Sequence, residues 1–206
     1  MAVEWLDIVK RLWTEDEDFD FEGRFYKIVK GYAKPGPIQK PYPAIMNAGG
    51  SERGRHFVAK YCDLAFLAPK VRDFGWLKGM IESYRNLAHD EYNNDIQVWT
   101  NCYVVQGETE KEAIDFWNYY AKEKGDWVAV AKLVETMGIN AKTFTEEQMI
   151  GMKQHFIAGW GGYPIIGTKE QIVETLGKLS ACGFDGVLLT FARFQEGMTE
   201  FRDKTY

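Results

Sequence analysis

The chain has 206 residues, of which 46% are apolar, 27% charged and 15% aromatic, a composition that carries a substantial packed core and excludes disorder as its main state. Acidic residues outnumber basic ones 30 to 25, a net charge of −5, which argues against a nucleic-acid or anionic-membrane binder. The 3 cysteines, Cys62, Cys102 and Cys182, stand singly without CxxC spacing, as expected of a reduced, cytoplasmic protein rather than a disulfide scaffold or zinc module. No apolar run has the length of a membrane helix, about 18 residues or more.

Val3 to Trp13 has helical periodicity, with Trp5, Leu6, Ile8, Val9, Leu12 and Trp13 as its apolar positions. An acidic turn follows, and then alternating aromatic segments around Glu22-Gly23 predict a hairpin. Four of the six prolines fall within residues 30–43, which predicts an extended crossing; residues 14–43 are read as an irregular insertion or linker. From Pro43 the pattern becomes strand, helix, strand, helix. PAIMNAG, DLAFLAP, IQVWTNCYVVQ and GVLLTF are the four predicted strands. Capping boxes at Thr109/Glu112, Thr145/Gln148 and Thr168/Gln171 mark three helix starts. Residues 126–167 read as a helical and loop insertion before the last unit, with GWGGYPIIGT (159–168) as a loop. Such alternation predicts parallel βαβ units in one domain over 1–206. Four units are too few to close a barrel of eight, so the expectation is the second half of a larger fold.

PAIMNAGGSERGRHF carries the most chemistry. A strand runs into Gly49-Gly50-Ser51, with Gly54 three residues on at the start of a helix. Glycines permit left-handed backbone and close approach, a helix start offers unpaired N–H groups, and Arg53 and Arg55 add positive charge. The segment suits a phosphate monoester; it also reads as a tight turn with Ser51 as a simple helix cap. His56 follows it, either assisting the turn or as an ordinary helix residue.

Together with LWTEDEDFDFEGRFYKI at one end and GGYPIIGTKEQIVETLGKLSACGFDGVLLTFARFQEGMTEF at the other, this segment resembles the bacterial-luciferase-like flavin-dependent monooxygenases, most of all the branch of pyrimidine oxygenase and the dimethylsulfone and alkanesulfonate monooxygenases. The resemblance implies the C-terminal half of a TIM (β/α)8 barrel, about four βα units, whose missing half supplies much of the flavin-ring and substrate contact. It implies reduced FMN as co-substrate with O2, a flavin reductase as its source, a small organic substrate, no metal, and a homodimer or higher oligomer. Ser51 would bind the FMN phosphate, with Gly49, Gly50, Gly54 and Arg53 around it. The alternatives are a deazaflavin-dependent reductase of the same fold and a non-catalytic oligomeric half-barrel.

Asn101 and Tyr103 lie on one face of a strand with Trp99. In the alkanesulfonate branch the matching positions carry an arginine and a histidine that line the active site, so Asn101 and Tyr103 are pocket candidates as well as candidates for interior packing. Phe191 and Arg193 are expected just past the last strand, where barrel enzymes carry functional groups. His56, His89 and His155 are scattered, without the i, i+4 spacing of a helical metal site. Neither Cys102 nor Cys182 has an adjacent base, and no catalytic residue is identified.

Overall fold

The computed structural model describes residues 1–68, 72–139 and 145–205. Helix α1 (Ala2–Thr14) buries Leu6 and Ile8, and its Trp5, Val9 and Trp13 line a groove with Ile45, Met46 and Phe57. The hairpin β1 (Phe19–Glu22) and β2 (Lys27–Gly31) is antiparallel, with Glu22 opposite Lys27. Its turn is tied to α1 by one carboxylate: Glu4 accepts the backbone N–H groups of Phe25, Arg24 and Tyr26 at 2.9, 3.1 and 3.3 Å. Those bonds, Phe25 first, hold the Glu4 carboxyl below its usual range.

The rest of the chain builds one parallel sheet and its covering helices. In order these are β3 (Met46–Asn47), α2 (Glu52–Tyr61), β4 (Leu64–Leu67), α3 (Phe74–Tyr92), β5 (Gln97–Gln106), α4 (Glu110–Asn118) with a π-helical turn (Tyr119–Glu123), α5 (Trp127–Thr136), α6 (Glu146–Gly159), β6 (Tyr163–Gly167), α7 (Lys169–Ala181), β7 (Gly186–Phe191) and α8 (Phe194–Lys204). β5 is the spine. β7 runs along one edge of it, pairing Trp99 through Val104. The other edge is shared: β4 pairs Gln97–Thr100 and β6 then takes Cys102–Gln106. The sheet therefore holds five strands, not four. β6 lies inside the stretch read as a loop, because its flanking glycines and Pro164 mask a short apolar run. Pro164 is tolerated because β6 pairs on one edge only. α8 is likewise absent from the sequence reading, and β3 is shorter than PAIMNAG suggested.

Alternation along the strands separates two faces. Ala65, Leu67, Val98, Cys102 and Val104 pack against α2, α3 and α7 through Val58, Leu77, Ile81, Ile172 and Leu179. Farther along β5, Tyr103 and Val105 turn the other way and are covered by Ala113 of α4, Ala121 of the π-turn and Ala158 of α6. The remaining inner face is less fully covered: Met46 is 42% and Leu188 53% exposed, and Phe66 and Trp99 beside them are half-buried.

Candidate functional site

β3 ends at Asn47, and Ala48-Gly49-Gly50 carries the backbone to Ser51, the cap of α2. Ser51 is extended, its Oγ accepts the Gly54 N–H at 3.1 Å, and its carbonyl accepts the Arg55 N–H at 2.8 Å. The N–H groups of Glu52 and Arg53, in the first turn, have no intrahelical acceptor. Gly49 and Gly54 touch backbone to backbone, so that a Cβ on Gly49 would lie 2.6 Å from the Gly54 carbonyl oxygen, while the space over Gly50 is open. None of these three glycines has positive φ. Of the two reasons for glycine expected from sequence, close approach holds at Gly49 and Gly54 and left-handed backbone at none of the three; neither applies at Gly50. The turn is braced from α3: the Tyr84 hydroxyl donates to the Gly49 carbonyl at 3.1 Å.

The two arginines separate. Arg53 is exposed beside the turn, whereas Arg55 stacks over the Tyr84 ring at 4.6 Å and donates from Nη2 to Ser83 at 2.8 Å. His56 turns to the end of α3, with Nδ1 2.8 Å from the Tyr92 hydroxyl and 3.6 Å from Glu91. Its bonding does not serve the turn.

A second cluster forms on β5. Asn101 is 7% and Tyr103 1% exposed, and Asn101 Oδ1 is buried with no hydrogen-bond partner among the described residues. The GWGG segment closes on both: a Cβ on Gly159 would overlap Tyr103, and one on Gly162 would lie 2.9 Å from Asn101 Nδ2. Between them Trp160 is 67% exposed with φ 57°, a left-handed conformation uncommon for a bulky residue. Nδ1 of His155, in α6, is 2.5 Å from the Tyr103 hydroxyl, and Arg72 Nη1 is 2.8 Å from its Nε2. Burial first, and then the Arg72 charge, push the imidazole down to about 4. From sequence His155 is only one of three scattered histidines and Arg72 is not singled out, since residues 72, 103 and 155 share no local spacing.

Phe191 is the last residue of β7, not past it, and packs against Phe201 at 5.8 Å. Arg193 precedes α8 with its guanidinium 4.7 Å over the Phe116 ring. All three cysteines are buried and free; burial raises Cys62 to about 11 and Cys102 to about 12, so neither is a thiolate nucleophile. Among the described residues no three His, Cys, Asp or Glu side chains form a metal site, and no helix is long and apolar enough to cross a membrane.

Residues 1–186 match the family described as luciferase-like monooxygenase. The chain belongs to that family. Its luciferase-like relatives include an FMNH2-dependent dimethylsulfone monooxygenase of Pseudomonas putida, 28% identical over 96% of this chain and 54% of the relative. A pyrimidine monooxygenase, RutA, of Acinetobacter baylyi is 24% identical over 98% of this chain and 54% of its own. Among solved structures DmoA from Hyphomicrobium sulfonivorans superposes with a TM-score of 0.76 at 19% identity, covering 98% of this chain and 53% of that one. The chain thus spans about half the length of the curated relatives it matches, and the structural likeness establishes the shared α/β fold.

Proposed function

We propose that this chain is the phosphate-anchoring part of an FMN-dependent monooxygenase that oxygenates a small organic substrate with O2, and that β3, β4, β5 and β7 are four strands of an eight-stranded barrel. The observation that carries the reading is the Ser51 turn. Gly49 and Gly54 in backbone contact leave open space over Gly50, faced by the Ser51 hydroxyl and the first N–H groups of α2. These residues fit a phosphate monoester: Oγ, already accepting from Gly54, still has its own hydrogen to donate, the N–H groups of Glu52 and Arg53 add two donors, and Arg53 adds charge. When bound, reduced FMN supplies the electrons and the ring at which O2 reacts.

The chain's own residues bind and orient. Tyr84 and the Gly49–Gly54 contact hold the turn rigid, Ser51 anchors the phosphate, and Asn101 and Tyr103 contribute one wall of the pocket, with GWGG closing over it. The half-barrel reading is supported by the partly open inner face, where Met46 and Leu188 are exposed and Phe66 and Trp99 only half-buried. With one wall of the pocket this part alone turns over negligible substrate, because positioning by the remaining wall is missing. A flavin reductase would supply the reduced FMN.

Fluorescence quenching with FMN and with riboflavin, which lacks the phosphate, tests the anchor. FMN should bind the tighter by at least tenfold. Equal affinity for the two would overturn the assignment, and tighter binding of a deazaflavin phosphate would redirect it to the reductase chemistry.

A further inference from the structure

Three side chains distant in sequence meet beside β5: Arg72 after β4, His155 in α6 and Tyr103 in β5. Their hydrogens can be assigned from chemistry alone. A guanidinium has donors and no acceptor, so at 2.8 Å from Arg72 Nη1 the His155 Nε2 must carry no hydrogen. The one hydrogen of the neutral ring is then on Nδ1, 2.5 Å from the Tyr103 hydroxyl, and the phenol oxygen accepts it. Tyr103 keeps its own hydrogen, and no described residue accepts it.

The surroundings sharpen this. Tyr103 is 1% exposed, and an unspent donor at that depth is costly unless something receives it. The indole of Trp117, whose ring centroid is 5.7 Å from that of His155, is a further donor toward the Tyr103 oxygen, and Asn101 Oδ1 on the same face of β5 is buried with no partner among the described residues. Arg72 forms no ion pair with a carboxylate among the described residues. The titratable groups facing this line are Arg72, Tyr103, Tyr120 and Tyr163, with no acid among them. Burial keeps the Tyr103 phenol well above its ordinary value, so its hydrogen stays in place.

We propose that Arg72 and His155 are positioning residues that hold the Tyr103 hydroxyl as a hydrogen-bond donor to an oxygen of a bound ligand, either a flavin carbonyl or a substrate oxygen. This rests on the assignment of Asn101 and Tyr103 to the pocket wall. Arg72 fixes the tautomer, His155 fills the acceptor side of the phenol, and the remaining hydrogen is left for the ligand.

Long-range proton–nitrogen NMR on the full chain with 15N-labelled histidine reads the tautomer directly, His155 being assigned by its loss in His155→Gln. His155 should be the Nδ1–H tautomer at neutral pH and remain uncharged below pH 5. Arg72→Met should shift it toward Nε2–H and raise its titration toward the ordinary 6.5. FMN and dimethylsulfone are then titrated separately. Movement of the Nδ1 signal by FMN assigns the oxygen to the flavin, and movement by dimethylsulfone assigns it to the substrate. Tyr103→Phe should abolish that movement and weaken binding about tenfold, the scale of one hydrogen bond. An Nε2–H tautomer in the native chain, titration near 6.5, or a Nδ1 signal that neither compound moves would each overturn the proposal. FMN affinity read by fluorescence judges the phosphate anchor separately, and the tautomer result stands whichever way that falls.

Discussion

Substitution of Ser51 separates its two roles, because helix capping and phosphate binding respond differently to the same change. The hydroxyl oxygen accepts the Gly54 N–H at 3.1 Å and so satisfies one of the free donors of α2. Loss of such a cap costs about 1 kcal/mol, which in a chain of this size lowers the melting temperature by roughly 2–4 °C. Loss of a hydrogen bond to a charged phosphate costs about 1.5–3 kcal/mol, or roughly 10- to 100-fold in affinity. Ser51→Ala should therefore show both effects. Ser51→Asp should show only the second and show it more strongly. Aspartate caps as well as serine does, so the melting temperature should hold within about 1–2 °C. Its carboxylate would face the phosphate, and two like charges about 4 Å apart repel by roughly 1–4 kcal/mol between bulk water and a protein surface. Differential scanning fluorimetry without ligand and FMN fluorescence titration at fixed ionic strength give the two readouts. If Ser51→Asp binds FMN as the native chain does, or Ser51→Ala loses stability and no affinity, Ser51 is only a helix cap.

Gly54→Ala should destabilise by about 1–3 kcal/mol and weaken FMN, since its Cβ would meet the Gly49 backbone at 2.9 Å; an unchanged melting curve would disprove the contact. His155 is held neutral in the fold, its value depressed to about 4 against an ordinary 6.5. The unfolded chain therefore takes up the proton first, so stability should be full above pH 6.5 and fall as the pH drops toward 4. Denaturant midpoints across that window should flatten in His155→Phe, and an identical slope in the variant would refute the assignment. The open inner face should drive self-association, because apolar surface on an unfinished sheet recruits another chain. Light scattering should detect a dimer or larger species at micromolar concentration that Leu188→Asp disperses, and a stable native monomer would contradict it.

Local chemistry made much of the fold legible in advance. The limits of α2 and β7 follow from turn residues and apolar runs. The capping boxes at Thr109 and Thr145 close in both directions, and at Thr168 the Gln171 side chain returns to the Thr168 N–H at 2.9 Å. These signals lie within a few residues of the structure they specify. The Ser51 turn was legible for the same reason, as a strand running into glycines and a capping serine.

The failures share one cause, a partner far away in sequence. β6 exists because the far half of β5 offers an edge that β4 leaves free, and nothing within Tyr163–Gly167 reports that vacancy. Close approach is a reason for glycine that the sequence already offered, but that it is Gly49 and Gly54 that meet each other is visible only once α2 folds back on the turn. Sequence spacing alone left the histidines scattered. The sheet and α6 bring His155 between Arg72 and Tyr103, 83 and 52 positions away in sequence, joining a guanidinium to a phenol on β5. Residue types and helix limits were thus set by local propensity, whereas the bonding of Tyr103, His155 and Arg72 was decided by which strand edges and helix faces the long-range packing left to meet.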